Sequence, residues 1–174
     1  MSSASLPANL PDAESLCAAL LEQLRPAVQA NTVMIGVHTG GAWIAEKLHA
    51  GLGLKTPLGT LDISFYRDDF ARVGLNPQVK KSTVPFDIED AAIILVDDVL
   101  YTGRTVRAAM NELFDYGRPA RIDLAVLADR GGRELPVAAR FVGAKVELRD
   151  NQSLNLARDG GGRLSFSLVE KSAP

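Results

Sequence analysis

The sequence carries one cysteine, Cys17, and two histidines, His38 and His49. An intrachain disulfide is thereby excluded, and the spacing of a Cys/His zinc site is absent. Aromatic residues make up 6% of the chain, with a single tryptophan. Charge of one sign is missing too, since 19 Lys and Arg stand against 21 Asp and Glu for a formal net charge of -2. No global positive field draws such a molecule to nucleic acid or a membrane surface, so any polyanion site has to be local. No apolar run approaches the roughly 20 residues that a membrane helix needs. The first residues, MSSASLPANLPDAESL, lack the basic and apolar regions of a secretory leader, and a cytoplasmic location is expected. Neither a Walker A motif nor a strand-linked G-x-G-x-x-G is present, which removes the usual anchors of nucleotide hydrolysis and dinucleotide redox chemistry. No Ser/His/Asp set stands out.

What is present suits one compact domain. The 174 residues are 47% hydrophobic, a length and composition that allow on the order of 70% of the unfolded surface to be buried. Residues 1–10, rich in Ser, Ala and Pro, read as a loose arm, leaving 11–174 as the domain. Asp12 is placed to cap a helix whose apolar positions Leu16, Ala19, Leu20 and Leu24 follow the 3.6 period up to Pro26. A strand over 33–37, a turn at Thr39, Gly40 and Gly41, and a helix over 42–52 closed by Gly51 and Gly53 come next. Alternation predicts a strand over 58–66, with Leu61, Ile63 and Phe65 on one face. Residues 67–85 are polar and too long for an ordinary connection, as expected of a flexible loop.

The run over 91–96 is continuously apolar, the mark of a strand buried on both faces of a parallel sheet, and is expected to end in Asp97 and Asp98. A small-residue turn then opens a helix carrying Val106, Ala109, Met110, Leu113 and Phe114, closed by Gly117 and Pro119. Another buried strand over 122–128 ends in the charged cluster 129–134. Beyond Pro136 the pattern weakens to strands over 142–148 and 164–169, with a turn at 159–162. Strands alternating with helices in this way predict a doubly wound α/β sheet.

Ligands of open α/β sheets bind beyond the carboxyl ends of the strands, where every unusual cluster of this chain is expected to lie. The turn ahead of the helix at 106 presents backbone N–H groups and the hydroxyls of Thr102 and Thr105 at the positive end of a helix dipole, which suits a phosphate monoester. Ionised Asp97 and Asp98 accept hydrogen bonds from hydroxyls, which suits the diol of a ribose. Together they describe a cradle for ribose 5-phosphate. The bland alternative makes the two acids turn residues and the following turn a plain helix cap. Arg118, Arg121 and Arg133 are candidates for a local basic patch.

IILVDDVLYTGRT, residues 93–105, resembles the thirteen-residue phosphoribosyl pyrophosphate (PRPP) signature of type I phosphoribosyltransferases. More narrowly, DISFYRDDF, VDDVLYTGRTVRAAMNELFDYGRPARI and LAVLADRGGRELP resemble the PyrR family, pyrimidine operon regulators that are also uracil phosphoribosyltransferases. The similarity runs from about residue 33 to residue 143. It implies the type I fold, a doubly wound, mostly parallel sheet flanked by helices with a small hood, here a divergent segment over 143–174, and a flexible loop.

By this resemblance Asp97 and Asp98 hold the ribose hydroxyls, Thr102, Gly103, Arg104 and Thr105 bind the 5-phosphate, and Val99, Leu100 and Tyr101 complete the PRPP-binding stretch. Thr39, Gly40 and Gly41 form the pyrophosphate loop, which in the family can contain a non-proline cis peptide. Arg67 belongs to the flexible loop that closes over the reaction, and it joins Asp97 and Asp98 in the implied catalytic set. Backbone groups of Asp129, Arg130 and Gly131 face uracil. Arg67 and Arg130 are candidates for charge near the departing pyrophosphate. Mg2+ is implied as a cofactor bound mainly through PRPP, with no protein ligand set assigned. The implied reaction yields UMP from uracil and PRPP. UMP, UTP and pyr leader mRNA are implied as regulatory partners in transcription attenuation, and a homodimer or homotetramer as the assembly. Many relatives have Thr-Arg-Gly in the pyrophosphate loop where this chain has Thr39, Gly40 and Gly41, and Gly132 replaces a histidine. A catalytically weak or silent nucleotide sensor is therefore the alternative.

Overall fold

The computed structural model describes residues 10–64 and 81–171. Helix α1 spans Ala13–Leu24, and its cap is the expected Asp12, whose Oδ2 accepts from the Ser15 amide at 3.0 Å and the Ser15 hydroxyl at 2.7 Å. A short 3-10 turn, Arg25–Ala27, carries Pro26 where its missing N–H is harmless. Then follow β1 (Thr32–Val37), α2 (Gly40–Leu52), β2 (Gly59–Leu61), β3 (Ala92–Leu100), α3 (Arg104–Tyr116), β4 (Arg121–Asp129) and β5 (Phe141–Lys145). Strands β6 (Gln152–Arg158) and β7 (Leu164–Glu170) close the described chain.

β1 to β5 form one parallel sheet in the order β2-β1-β3-β4-β5, and β6 and β7 form a separate antiparallel hairpin. The central strands are buried on both faces, and successive side chains enter two different cores. On one face Val33, Ile35, Ile93, Leu95, Leu124 and Val126 meet Val106, Ala109 and Leu113 of α3. On the other, Met34, Ile94, Val96, Ala125 and Leu127 meet Leu20 and Leu24 of α1, Ile44 and Leu48 of α2, and Leu156 and Leu164 of the hairpin. Fully burying a side chain such as Leu20 or Ile44 contributes about 1.5 to 3 kcal/mol and seats helices on both faces, as the apolar runs imply.

Four expectations change. The strand expected over 58–66 is only Gly59–Leu61, because Asp62 leaves the ladder and turns its buried carboxylate back to the amide and hydroxyl of Ser64. Phe65 lies outside the described residues. β3 does not stop before Asp97 and Asp98 but carries both to Leu100, since Asp97, Val99 and Leu100 still pair with Val126, Ala128 and Asp129 of β4. Gly51 lies inside α2, and the left-handed cap is Gly53 alone, with φ 63°. The turn at 159–162 is real, but its first arm is β6, a strand of polar and apolar residues in the pattern QSLNLAR whose signal is weak in isolation. The segment beginning at Gly143 divides between the main sheet, where 143–145 complete β5, and the hairpin.

Candidate functional site

The strand order reverses direction at β1. From β1 the chain crosses to β2 on one side, and it returns to place β3 on the other. This switch point opens a crevice between the loops leaving β1 and β3, the usual ligand position in such sheets. Of the expected turn only Thr39 lies outside a helix, since Gly40 and Gly41 open α2, and β3 carries Asp97 and Asp98 near its end.

Two close approaches shape the crevice. A Cβ on Gly41 would run into the carbonyl oxygen of Val96 and lie 2.9 Å from Asp97 Cα. A Cβ on Gly40 would run into Asp98 Oδ2 and lie 2.9 Å from its Cγ. The two glycines therefore let the start of α2 press directly on the acidic end of β3. The peptide bond His38-Thr39 at the start of this loop is cis, as the resemblance allows.

Asp97 is only 4% exposed and Asp98 is partly exposed. Asp97 Oδ1 accepts from the Asp98 amide at 2.9 Å, and Asp98 Oδ1 accepts from the Val99 amide at 2.8 Å. These bonds hold each carboxylate beside its own strand. Asp98 Oδ2 meanwhile lies on the Gly40 side. Val99 and Leu100 continue the strand, and Leu100 is buried in the core beneath it. Tyr101 stands at the mouth, 39% exposed. Thr102 to Thr105 lead into α3, with Gly103 as the cap residue, Thr102 Oγ1 accepting from the Arg104 amide at 3.3 Å, and Arg104 paired with Glu134 at 2.8 Å. The stretch expected to hold a phosphate thus leads into the N-terminal end of a 13-residue helix, where the dipole and amides favour an anion.

Asp129 ends β4 beside Leu100. Burial alone pushes its carboxyl up. Hydrogen bonds from Arg133 and the Gly131 amide, together with the charges of Arg133 and Lys145, outweigh burial and hold it below the usual carboxylate value. Arg130 lies 3.8 Å from the centroid of the Tyr101 ring and donates to the carbonyl of Gln152 at 2.9 Å and that of Arg149 at 3.4 Å. The Arg130 guanidinium therefore ties the loop after β4 to the hairpin. Arg133 likewise faces inward rather than joining a surface patch, because it donates to Tyr101 O, Val137 O and Asp129 Oδ2. Arg121 and Arg140 both pair with Asp123. Arg67 and Lys80 lie outside the described residues. Among the described residues no three His, Cys, Asp or Glu side chains group so as to hold a metal ion, and a Mg2+ ion carried by a diphosphate needs no such cage.

The pattern brings the loops after β1 and β3 and the charged cluster 129–134 to one end of the sheet, but it gives no sign that Arg133 bonds to Tyr101 and Val137 or that the amides of Glu134 and Leu135 bond to Thr102.

Comparison with known proteins decides the family. Residues 8–154 match the Phosphoribosyl transferase domain. The chain is 46% identical over 169 residues to the Bifunctional protein PyrR of Ralstonia nicotianae, covering 93% of this chain and 97% of that protein. The chain belongs to the PyrR family of phosphoribosyltransferases. The Bifunctional protein PyrR of Nitrosococcus oceani is 56% identical over 137 residues, covering 78% of this chain and 76% of that one. A hypoxanthine phosphoribosyltransferase from Staphylococcus aureus superposes with TM-score 0.64 at 21% identity, over 82% of this chain and 78% of that one. That likeness extends to the fold.

Proposed function

We propose that this chain transfers the phosphoribosyl group of PRPP to uracil, releasing pyrophosphate and forming UMP, and that the same pocket reports pyrimidine nucleotide levels to pyr leader mRNA. The observation that carries this reading is the pairing of Asp97 and Asp98 with the N-terminal end of α3 at the switch point. Uracil N1 forms a bond to C1 of the ribose as the bond from C1 to pyrophosphate breaks, and the electron pair of that bond leaves with the pyrophosphate. Uracil N1 gives up its proton. Asp97 and Asp98 hold the ribose hydroxyls, Thr102 to Thr105 hold the 5-phosphate, and the Thr39 to Gly41 loop faces the pyrophosphate. Asp129, Arg130 and Gly131 are proposed for the base. Mg2+ bound with PRPP supplies charge neutralisation at the leaving group, which an oxocarbenium-like transition state requires. Arg67 is proposed to add charge there. A homodimer or homotetramer is the proposed assembly, supported by the exposed Phe114 and Tyr116 on α3, at 57% and 49%.

A second reading, a nucleotide sensor with weak catalysis, is favoured by one observation. Gly40 brings no guanidinium to the loop that faces the leaving group. Steady-state formation of UMP from uracil and PRPP with Mg2+, with orotate and hypoxanthine as competing bases, separates the two. Uracil-selective turnover supports the transferase. UMP binding without turnover supports the sensor, and selective use of another base overturns the uracil assignment.

A further inference from the structure

The base-side loop after β4 and the phosphate-side loop after β3 come from different strands, yet one side chain joins them. Arg133 Nη1 donates to Tyr101 O at 2.8 Å, Nη2 donates to Asp129 Oδ2 at 2.6 Å, and Nε donates to Val137 O at 3.1 Å. All three nitrogens of the guanidinium are thus committed, one to the phosphate-side loop and two to the base-side segment. Asp129 Oδ1 passes the connection on to the Gly131 amide at 2.9 Å. The neighbours of Arg133 reinforce the same junction. The amides of Glu134 and Leu135 donate to Thr102 O at 2.9 and 3.1 Å, and the Glu134 carboxylate takes Arg104.

Packing closes what the hydrogen bonds begin. Val137 sits where a Cβ on Gly103 would fall, so the cap of α3 rests on the base-side segment. Gly132, at φ 77°, lies so near the Tyr101 ring that a Cβ there would be 2.5 Å from Cε2. A residue with a side chain at this position would have to leave the left-handed conformation and displace the ring. Arg130 stands 3.8 Å from the centroid of the same ring. Beyond the pairing of β3 with β4, these contacts between the two loops run through residues 129–137.

We infer that Arg133 is a positioning residue that fixes the distance between the base subsite and the 5-phosphate subsite, so that a nucleotide carrying both groups is bound more tightly than either part alone. This rests on the uracil phosphoribosyltransferase reading above and adds the residue that holds its two subsites in register. A planar fork is needed because three acceptors on two loops are met at once. A lysine ammonium keeps the charge but is a point donor on a flexible stem. Arginine is thus required for geometry rather than charge.

The test compares two probes by calorimetry on the full chain. Ribose 5-phosphate occupies only the phosphate side, and UMP occupies both. The quantity of interest is the ratio of their dissociation constants, which a uniform loss of folded protein leaves unchanged. In Arg133→Lys the ratio is expected to fall by about 10-fold, close to 1.4 kcal/mol, with ribose 5-phosphate affinity within about twofold of the parent. Asp129→Asn, which keeps an acceptor for Gly131 but removes the carboxylate from Arg133, is expected to shift the ratio in the same direction by a smaller factor. An unchanged ratio in both variants overturns the positioning role while leaving the uracil reading intact. Equal loss of both ligands in Arg133→Lys also overturns it, since that outcome assigns Arg133 to the phosphate loop alone. A ratio near one in the parent protein means that the base is not recognised, and it overturns the uracil reading together with this inference.

Discussion

At residue scale Gly40 stands where the resemblance leads one to expect an arginine. On the proposed reading that is a loss of charge near the leaving group, but the packing makes the exchange one of shape as well. A Cβ at Gly40 meets Asp98 Oδ2 and comes within 3.0 Å of Asp98 Cβ, so Gly40→Arg has to swing the Asp98 carboxylate away from its place. The expected outcome is that Gly40→Arg weakens PRPP binding several-fold rather than improving it, read as a rise in the dissociation constant for PRPP with Mg2+ in a titration. Tighter binding would show that the carboxylate rotates freely and that charge dominates. Asp98→Asn keeps the size of the side chain and the acceptor for the Val99 amide while removing the charge that we propose serves the ribose hydroxyls. Hydrogen bonds to charged groups contribute about 1.5 to 3 kcal/mol, so PRPP affinity is expected to fall by about 10- to 100-fold with little change in the melting temperature. Binding equal to the parent's would remove Asp98 from the ribose site.

At the scale of elements, the helices and inner strands were legible because burial sets their pattern. β1, β3 and β4 run through the middle of the sheet, and their apolar runs follow directly from cover on both faces. β6 was illegible for the opposite reason. Its exposed side carries Ser153 and Asn155 while only Gln152, Leu154 and Leu156 are buried, and the partner that makes it a strand is β7. The hairpin is secured to the helical face by Glu14 of α1, which accepts from the Leu164 amide at 2.6 Å and pairs with Lys47 of α2 at 3.1 Å. The amide of Leu164 above all, then the Lys47 ammonium, holds the Glu14 carboxyl below its ordinary value against the opposing effect of burial. Since the folded value is the lower one, its contribution to stability is complete above the unfolded value of about 4.3. It is lost as the pH falls through the folded value. Glu14→Gln is therefore expected to lower the melting temperature near neutral pH and to flatten its decline on acidification. Parallel acid limbs for parent and variant would show that the contact contributes nothing.

At the scale of the whole molecule the question is where a polyanion as large as RNA would lie on a chain of net charge -2. Internal pairing narrows the choice, because Arg133 is spent on the site, Arg121 and Arg140 share Asp123, and Arg158 pairs with Glu46 at 2.6 Å. If the pocket governs RNA binding, UMP has to change RNA affinity, and by linkage RNA has to change UMP affinity by the same factor. The expected result is leader-RNA binding that responds to UMP and falls steeply with added salt, read by filter binding or anisotropy. RNA binding indifferent to UMP overturns the regulatory half of the proposal. No helix among the described residues is long and apolar enough to cross a membrane.

The amino-acid sequence by itself determined the alternation of elements and the two most informative loops. Those features are local: continuous apolar runs, a capping Asp12, and adjacent acids followed by a small-residue turn. It also carried the family resemblance, since the signature at 93–105 is contiguous. Only the tertiary structure decided what the scattered charges do. The sequence points Arg130 to the base and the leaving group and Arg133 to a basic patch, yet one stacks on Tyr101 and anchors the hairpin while the other fills its fork with three acceptors, one after β3 and two on the segment 129–137. The fate of an arginine depends on which carbonyls and carboxylates the folded chain brings within about 3 Å of it, and such distances between residues far apart in the chain leave no periodic trace in its order.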